Sequence, residues 1–130
     1  MVSERKIKQL IELASQDDDV VSVLLFGSTA RNEQSVNSDV DVCVVLKMGN
    51  YTKLFLSEKK LKYLSLSGNI DVQIYQQLPI YIRQRILKEG KILFCKNEDE
   101  LYEIAFDTIQ KYEDFKHIYD YYLNEIKNDR

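Results

Sequence analysis

Asp39 and Asp41 stand one valine apart in the run Asp39-Val40-Asp41-Val42-Cys43-Val44-Val45-Leu46. That run has the composition of a strand, and residues two apart in a strand project from the same face. Neighbouring carboxylates repel, so both ionise at low cost only where a cation neutralises them. Hard divalent ions such as Mg²⁺ take oxygen ligands and keep water or phosphate oxygens in their remaining positions. A third acid, Asp71, lies in Ile70-Asp71-Val72-Gln73-Ile74-Tyr75. The strict alternation there predicts another strand, with Asp71, Gln73 and Tyr75 on one face. If the two strands are neighbours, three carboxylates converge. Two metal ions about 3.5–4 Å apart could then activate a hydroxyl and stabilise a leaving pyrophosphate, with Asp71 placed to take the hydroxyl proton.

A phosphate site is indicated just upstream. Val20-Val21-Ser22-Val23-Leu24-Leu25-Phe26 reads as a buried strand that ends abruptly at Gly27-Ser28. A glycine past a strand lets a ligand approach the backbone, since no Cβ stands in the way. Ser28 would add a hydroxyl donor, and Thr29-Ala30-Arg31-Asn32-Glu33 could form a short helix whose N-terminus receives phosphate. Each feature alone has a plain structural reading: strand-mouth aspartates cap helices, Gly-Ser makes turns, and an acid can simply begin a strand. Their combination is harder to explain that way. A purely structural protein has little reason to set charges inside apolar strands on a common face.

The remaining elements can carry such a site. Ser3 can cap a helix over about residues 4–16, with Ile7, Leu10, Ile11 and Ala14 on one face, broken by Asp17-Asp18-Asp19. Asn50 and Thr52 offer caps for a helix to about Leu66, stopped by Ser67-Gly68. Pro79 suits the first turn of a helix reaching Lys88, with Glu89-Gly90 as its exit. Lys91 to Cys95 predicts a short strand, possible at a sheet edge. A last helix opens on Asn97-Glu98-Asp99-Glu100, where the dipole favours acids. The expected fold is α/β (α+β): a small mixed sheet flanked by helices, with a long C-terminal helix. One domain over 1–130 is expected, with a core over 1–96 and the helix over 97–130.

At 130 residues and 45% hydrophobic composition the chain can bury a real core. No apolar run approaches the roughly 18 residues needed to span a bilayer, and Met1 to Lys6 leads into an amphipathic stretch and not a signal-peptide core. A soluble cytoplasmic protein with no membrane association is expected. Eighteen basic against 21 acidic residues give a net charge of −3. The basic surplus that grips long nucleic acid is therefore missing, so no such partner is expected. Cys43 and Cys95 form no CxxC or zinc-like cluster and read as small buried hydrophobes, in keeping with a reducing compartment.

The spacing Gly27-Ser28, ten residues, then Asp39-Val40-Asp41, with Asp71 on a later strand, resembles the minimal nucleotidyltransferases of the DNA polymerase beta-like superfamily. The fuller run Gly27 to Glu33, followed by Ser38-Asp39-Val40-Asp41, looks like the antitoxin branch of that family, and the likeness continues through Ile86 to Leu93 and the final helix. Asn32 stands where members often have Gly. The resemblance implies an enzyme that transfers AMP from ATP to a tyrosine of a HEPN-domain ribonuclease toxin, its partner in a hetero-oligomeric complex. It implies that Ser28, with Gly27, binds the β- and γ-phosphates, that Asp39 and Asp41 hold two Mg²⁺ ions, and that Asp71 binds the catalytic metal and helps deprotonate the tyrosine. Arg31 could reach phosphate or lie on the surface. Two alternatives stay open: an antitoxin that acts by binding alone, and nucleotidyl transfer to a small molecule. The absence of an acceptor-binding second domain weighs against the latter.

The final helix is expected to run about 30 residues, on the order of 45 Å at 1.5 Å per residue. A domain of this size has a radius of gyration of roughly 14 Å, so the helix must bend or offer a free face. It carries Tyr102, Tyr112, Tyr119, Tyr121 and Tyr122. Tyr112, Tyr119 and Tyr122 are expected in a stripe on the sheet, with Tyr102 and Tyr121 more exposed. His117, the lone histidine, has no Cys or His near it in sequence and reads as a surface residue.

Overall fold

The computed structural model describes residues 4–27, 40–65 and 70–128. The described elements run α1 (Glu4–Gln16), β1 (Val20–Phe26), β2 (Val40–Leu46), α2 (Lys53–Leu64), β3 (Ile70–Ile74), a 3₁₀ turn (Tyr75–Gln77), α3 (Ile80–Glu89), β4 (Lys91–Cys95) and α4 (Glu98–Asn128). They form the expected mixed sheet flanked by helices. Strand order is β3-β2-β1-β4. β1 pairs antiparallel with β2 and with β4, and β2 pairs parallel with β3. β4 is therefore an edge strand, as its length suggested.

Helices cover both faces of the sheet, which is why β1 and β2 read as nearly continuous apolar runs. On one side Leu10 and Ala14 of α1 and Leu56 and Tyr63 of α2 pack on Val23, Val42, Val44 and Val72. On the other, Ile86 of α3 and Ile104 of α4 pack on Val21, Leu24, Cys43 and Val45. Cys43 is fully buried, and burial pushes its thiol pKa up. It is inert packing, as expected, while Cys95 is half-buried and also free.

Local chemistry sets the ends of the elements. Thr52 Oγ1 accepts from the Phe55 amide at 3.1 Å and so caps α2. Asn97 Oδ1 accepts from the Glu100 amide at 3.2 Å at the start of α4. Pro79 stands one position ahead of α3 as its cap, where its carbonyl accepts from the Ile82 and Arg83 amides. Tyr75, which alternation placed in the third strand, instead opens the 3₁₀ turn. The next residue, Gln76, holds both the amide and the carbonyl of Leu46, at 3.1 and 2.8 Å, and so closes the end of β2.

The acidic break after α1 has a structural use that composition did not reveal. Asp17 is buried, with both carboxylate oxygens accepting from Lys59 at 2.8 Å, one also from Tyr63 Oη at 2.8 Å, and one from the Asp19 amide at 3.1 Å. It ties the α1–β1 turn to α2. Among the described residues no helix is long and apolar enough to cross a membrane.

α4 departs most from expectation. Only its first third packs: Ile104 and Thr108 are buried, while Tyr112 is half-buried. Tyr119 and Tyr122 were expected on the sheet, yet they are exposed, as are Tyr102, Tyr121 and His117. The helix has 31 residues and outruns the sheet beneath it, so its apolar stripe continues past anything in this chain that could bury it.

Candidate active site

Two strands bring two of the sequence-predicted acids together. In the parallel β2–β3 ladder Asp41 is the register partner of Asp71. Adjacent strands lie about 4.8 Å apart, so the two carboxylates stand side by side on one face. Both are half-buried, and each interrupts a strand whose flanking residues are buried: Val40 and Val42 around Asp41, Ile70 and Val72 around Asp71. The charges sit at the starts of β2 and β3, at the rim of the sheet face that α3 and α4 cover farther along.

β1 supplies the third component. Phe26 is the antiparallel partner of Asp41, and Gly27 follows it immediately beside that carboxylate. Gly27 has φ +75°, in the left-handed region, and a Cβ built there would overlap the Asp41 carboxylate. The backbone angle therefore demands glycine, and any side chain placed there would also have to displace the Asp41 carboxylate. The close approach that glycine was expected to permit is thus taken first by Asp41, and a ligand reaching this corner would meet backbone and carboxylate together. Ser28, Arg31 and Asp39, which complete the predicted site, lie outside the described residues.

Two further sets of residues surround the corner, and sequence reading missed both. Gln73 Nε2 donates to Asp71 Oδ1 at 3.3 Å, while Lys60 Nζ donates to Gln73 Oε1 at 3.1 Å. The lysine fixes which end of the amide is the donor, and the amide in turn holds one oxygen of Asp71. The alternation that put Gln73 on the face of Asp71 could have suggested the first contact. The second depends on how α2 crosses β3 and had no sequence signal. Beside Gly27, a cavity of about 160 Å³ is lined by Phe26, Gly27, Ile82, Arg85, Ile86 and Glu89. The α3 residues among these follow the helical 3-4-7 spacing, so Arg85 is delivered by the same face that buries Ile86.

Chemically, the arrangement suits a hard divalent cation. Two carboxylates on one face require positive charge to ionise together, and Gln73 orients Asp71 through its Oδ1.

The family model described as polymerase beta, nucleotidyltransferase, matches residues 8–99, a span containing all four strands, Gly27, Asp41 and Asp71. The chain belongs to that family. A protein of Methanocaldococcus jannaschii, named as a candidate protein adenylyltransferase, is 36% identical over 75 residues, which is 58% of this chain and 56% of that protein. The match thus spans little more than half the length of this curated relative. Among solved structures, a toxin–antitoxin complex with AMP-PNP contains a chain that superposes with TM-score 0.70 at 22% identity, covering 96% of this chain and 98% of the other. The complex of a tri-AMPylated Shewanella oneidensis HEPN toxin with an MNT antitoxin gives TM-score 0.63 at 20% identity, over 95% and 94% of the two chains. A candidate nucleotidyltransferase of Sulfolobus solfataricus gives 0.52 at 18%, over 71% and 79%. At such identities these structures establish a shared fold, extending in the first two across nearly the whole chain.

Proposed function

We propose that this chain is a Mg²⁺-dependent protein adenylyltransferase of the antitoxin type, acting in the cytoplasm. It transfers AMP from ATP to a tyrosine of a cognate HEPN ribonuclease toxin held in a hetero-oligomeric complex, and so inactivates the toxin. The observation that carries this reading is the pairing of Asp41 with Asp71 across β2 and β3 at the Gly27 corner. Family membership supports the reaction class. The named activity of the M. jannaschii relative and the toxin complexes of the structural neighbours support the protein acceptor.

In this reading Gly27 and Ser28 receive the β- and γ-phosphates, and Arg31 lies within reach of phosphate. Asp39, Asp41 and Asp71 hold the Mg²⁺ ions, which supply charge neutralisation for the attacking and leaving oxygens. Asp71 accepts the phenolic proton of the incoming tyrosine. The tyrosine oxygen forms a bond to the α-phosphorus as the bond from that phosphorus to the bridging oxygen breaks, and pyrophosphate leaves. An AMP group beside the toxin's catalytic residues adds bulk and negative charge where RNA phosphate must bind. A protein that acted by docking alone would have no use for two ionisable acids set side by side in apolar strands.

Purified chain, ATP, Mg²⁺ and the co-encoded HEPN protein should yield toxin heavier by AMP, read by intact-mass spectrometry. The double variant Asp39→Ala, Asp41→Ala should fold and transfer nothing. Normal transfer by that variant would overturn the site, and absence of transfer by the unaltered chain would overturn the activity.

A further inference from the structure

The distal part of α4 carries a pattern that the adenylyl-transfer site does not use. Leu101, Ala105, Thr108, Tyr112, Phe115, Tyr119, Tyr122 and Ile126 follow one another in alternating steps of four and three. A repeat of 3.5 residues is the seam that packs against another helix, not against a sheet. The first part of this seam is satisfied at home, with Leu101 and Thr108 packed toward α3 and Tyr75. The second part is bare: Phe115 is 42% exposed, Tyr119 55%, Tyr122 67% and Ile126 51%. A contiguous apolar stripe of this size marks an interaction surface, and a helix gains most of its stability from packing such a stripe.

A second copy of this chain fits the seam poorly. Pairing two such helices in parallel would set Tyr112, Tyr119 and Tyr122 each against its own duplicate and bring Lys111 against Lys116 of the other copy. The antiparallel arrangement sets Tyr119 against Tyr122. Tight two-stranded seams favour Ile, Val and Leu at these positions, and a buried tyrosine hydroxyl needs a polar partner. Bulky tyrosines instead suit an unlike helix with small or aliphatic side chains along the seam. At the margins Lys111 is paired with Asp107 at 3.0 Å, while Lys116 and Glu125 suit an acid and a base on the partner.

We infer that the Tyr112–Ile126 face of α4 is the docking surface for the acceptor protein, engaged by an amphipathic helix that presents a carboxylate to Lys116 and a basic side chain to Glu125. The identity of that partner as the HEPN toxin rests on the function proposed above; the surface itself does not. The seam leaves the body at the end of the sheet opposite the carboxylates. Thr108 bonds to Tyr75 just past β3, and Lys111 borders a cavity with Met48, Gly49 and Asn50 just past β2, whereas Asp41 and Asp71 stand at the strand starts. From Asp71 to Tyr75 is on the order of 13 Å at 3.3 Å per residue. Docking is therefore separate in space from nucleotide chemistry.

The test uses the full chain and the co-encoded HEPN protein, with affinity measured by calorimetry. Phe115→Glu and Tyr119→Glu alter exposed positions and should each weaken association about 30-fold, as loss of an interface anchor does, while ATP binding in Mg²⁺ stays as in the unaltered chain. Sedimentation of the chain alone should report a monomer. Undiminished affinity in both variants overturns the inference. So does a stable dimer of the chain alone that either variant dissolves, because the occupant is then a second copy. If the unaltered chain binds the HEPN protein through this seam yet never transfers AMP to it, the enzymatic reading fails and the docking surface stands. If it transfers AMP and the variants still bind as tightly, the reverse holds.

Discussion

Asp17 and the Asp41–Asp71 pair are both acids set among apolar residues, but the chain treats them in opposite ways. Asp17 has its own counter-charges, Lys59 at 2.8 Å and Lys62 at 3.3 Å, and accepts a hydrogen bond from the Tyr63 hydroxyl at 2.8 Å. Burial alone would raise its pKa. The hydrogen bonds from Lys59, Tyr63 and the Asp19 amide, with the Lys59 charge, outweigh that effect and hold the carboxylate well below the usual range. Asp41 and Asp71 are instead set beside each other, one strand apart. An acid neutralised by its own chain braces the fold. In the proposed function the paired acids share a cation from outside, and that reading separates a site from a brace.

The sharpest way to break this contrast is to remove one acid from each place and measure both stability and transfer. Asp71→Asn should lower AMP transfer about 10³-fold, within the range for loss of a catalytic acid–base group. Its melting temperature in EDTA should be unchanged or raised, because a like charge beside Asp41 has gone. A fall in stability would mean that Asp71 is a brace like Asp17.

Asp17→Ala should do the reverse. It leaves Tyr63 without its acceptor and Lys59 with only the more exposed Asp19 at 2.9 Å, and should cost about 3 kcal/mol of unfolding free energy, with specific activity of the folded fraction preserved at low temperature. The same group gives a pH signature. Its pKa is lower folded than unfolded, so its stabilisation is complete above the unfolded value of about 3.9 and is lost as pH falls from there toward the folded value. Urea melts of the unaltered chain should weaken in that acid range, and melts of Asp17→Ala should weaken less. Equal slopes would show that Asp17 does not carry this stability.

The smallest expected effect sharpens the picture of the pair. Gln73→Leu removes the donor that holds Asp71 Oδ1, and Lys60→Met removes the group that orients Gln73. Each should weaken Mn²⁺ binding, followed by paramagnetic resonance, about tenfold, as loss of an outer-shell contact does. Unchanged Mn²⁺ affinity in both would show that the Lys60–Gln73 chain is packing and not positioning.

How much of this was legible in advance varied with the range of the interaction involved. The strands Val20–Phe26 and Ile70–Ile74 and the helices α1 to α4 were visible because periodicity and capping act within a few residues. Gly27, Asp41 and Asp71 stood out because strand alternation fixes the face of a side chain without knowledge of its neighbours. Lys60 and Gln73 did not stand out, since nothing in a polar helix indicates which of its lysines will cross a strand. Asp17 looked like a plain loop acid for the same reason: its partners Lys59 and Tyr63 are more than forty positions away in the chain.

Strand order carries the decisive difference. By itself the amino-acid sequence determined which residues alternate, which helices form, and that Asp41 and Asp71 lie in strands with Gly27 just past another, because those properties arise from local steric and hydrophobic patterns. Only the tertiary structure decided that β3 lies parallel to β2 in the register that sets Asp71 beside Asp41, that Asp17 is internally neutralised, and that the seam of α4 outlasts the body beneath it. These outcomes depend on which distant segments share a boundary. That is settled by the packing of the whole chain, since many strand pairings would satisfy the same local preferences and only one buries both faces of this sheet.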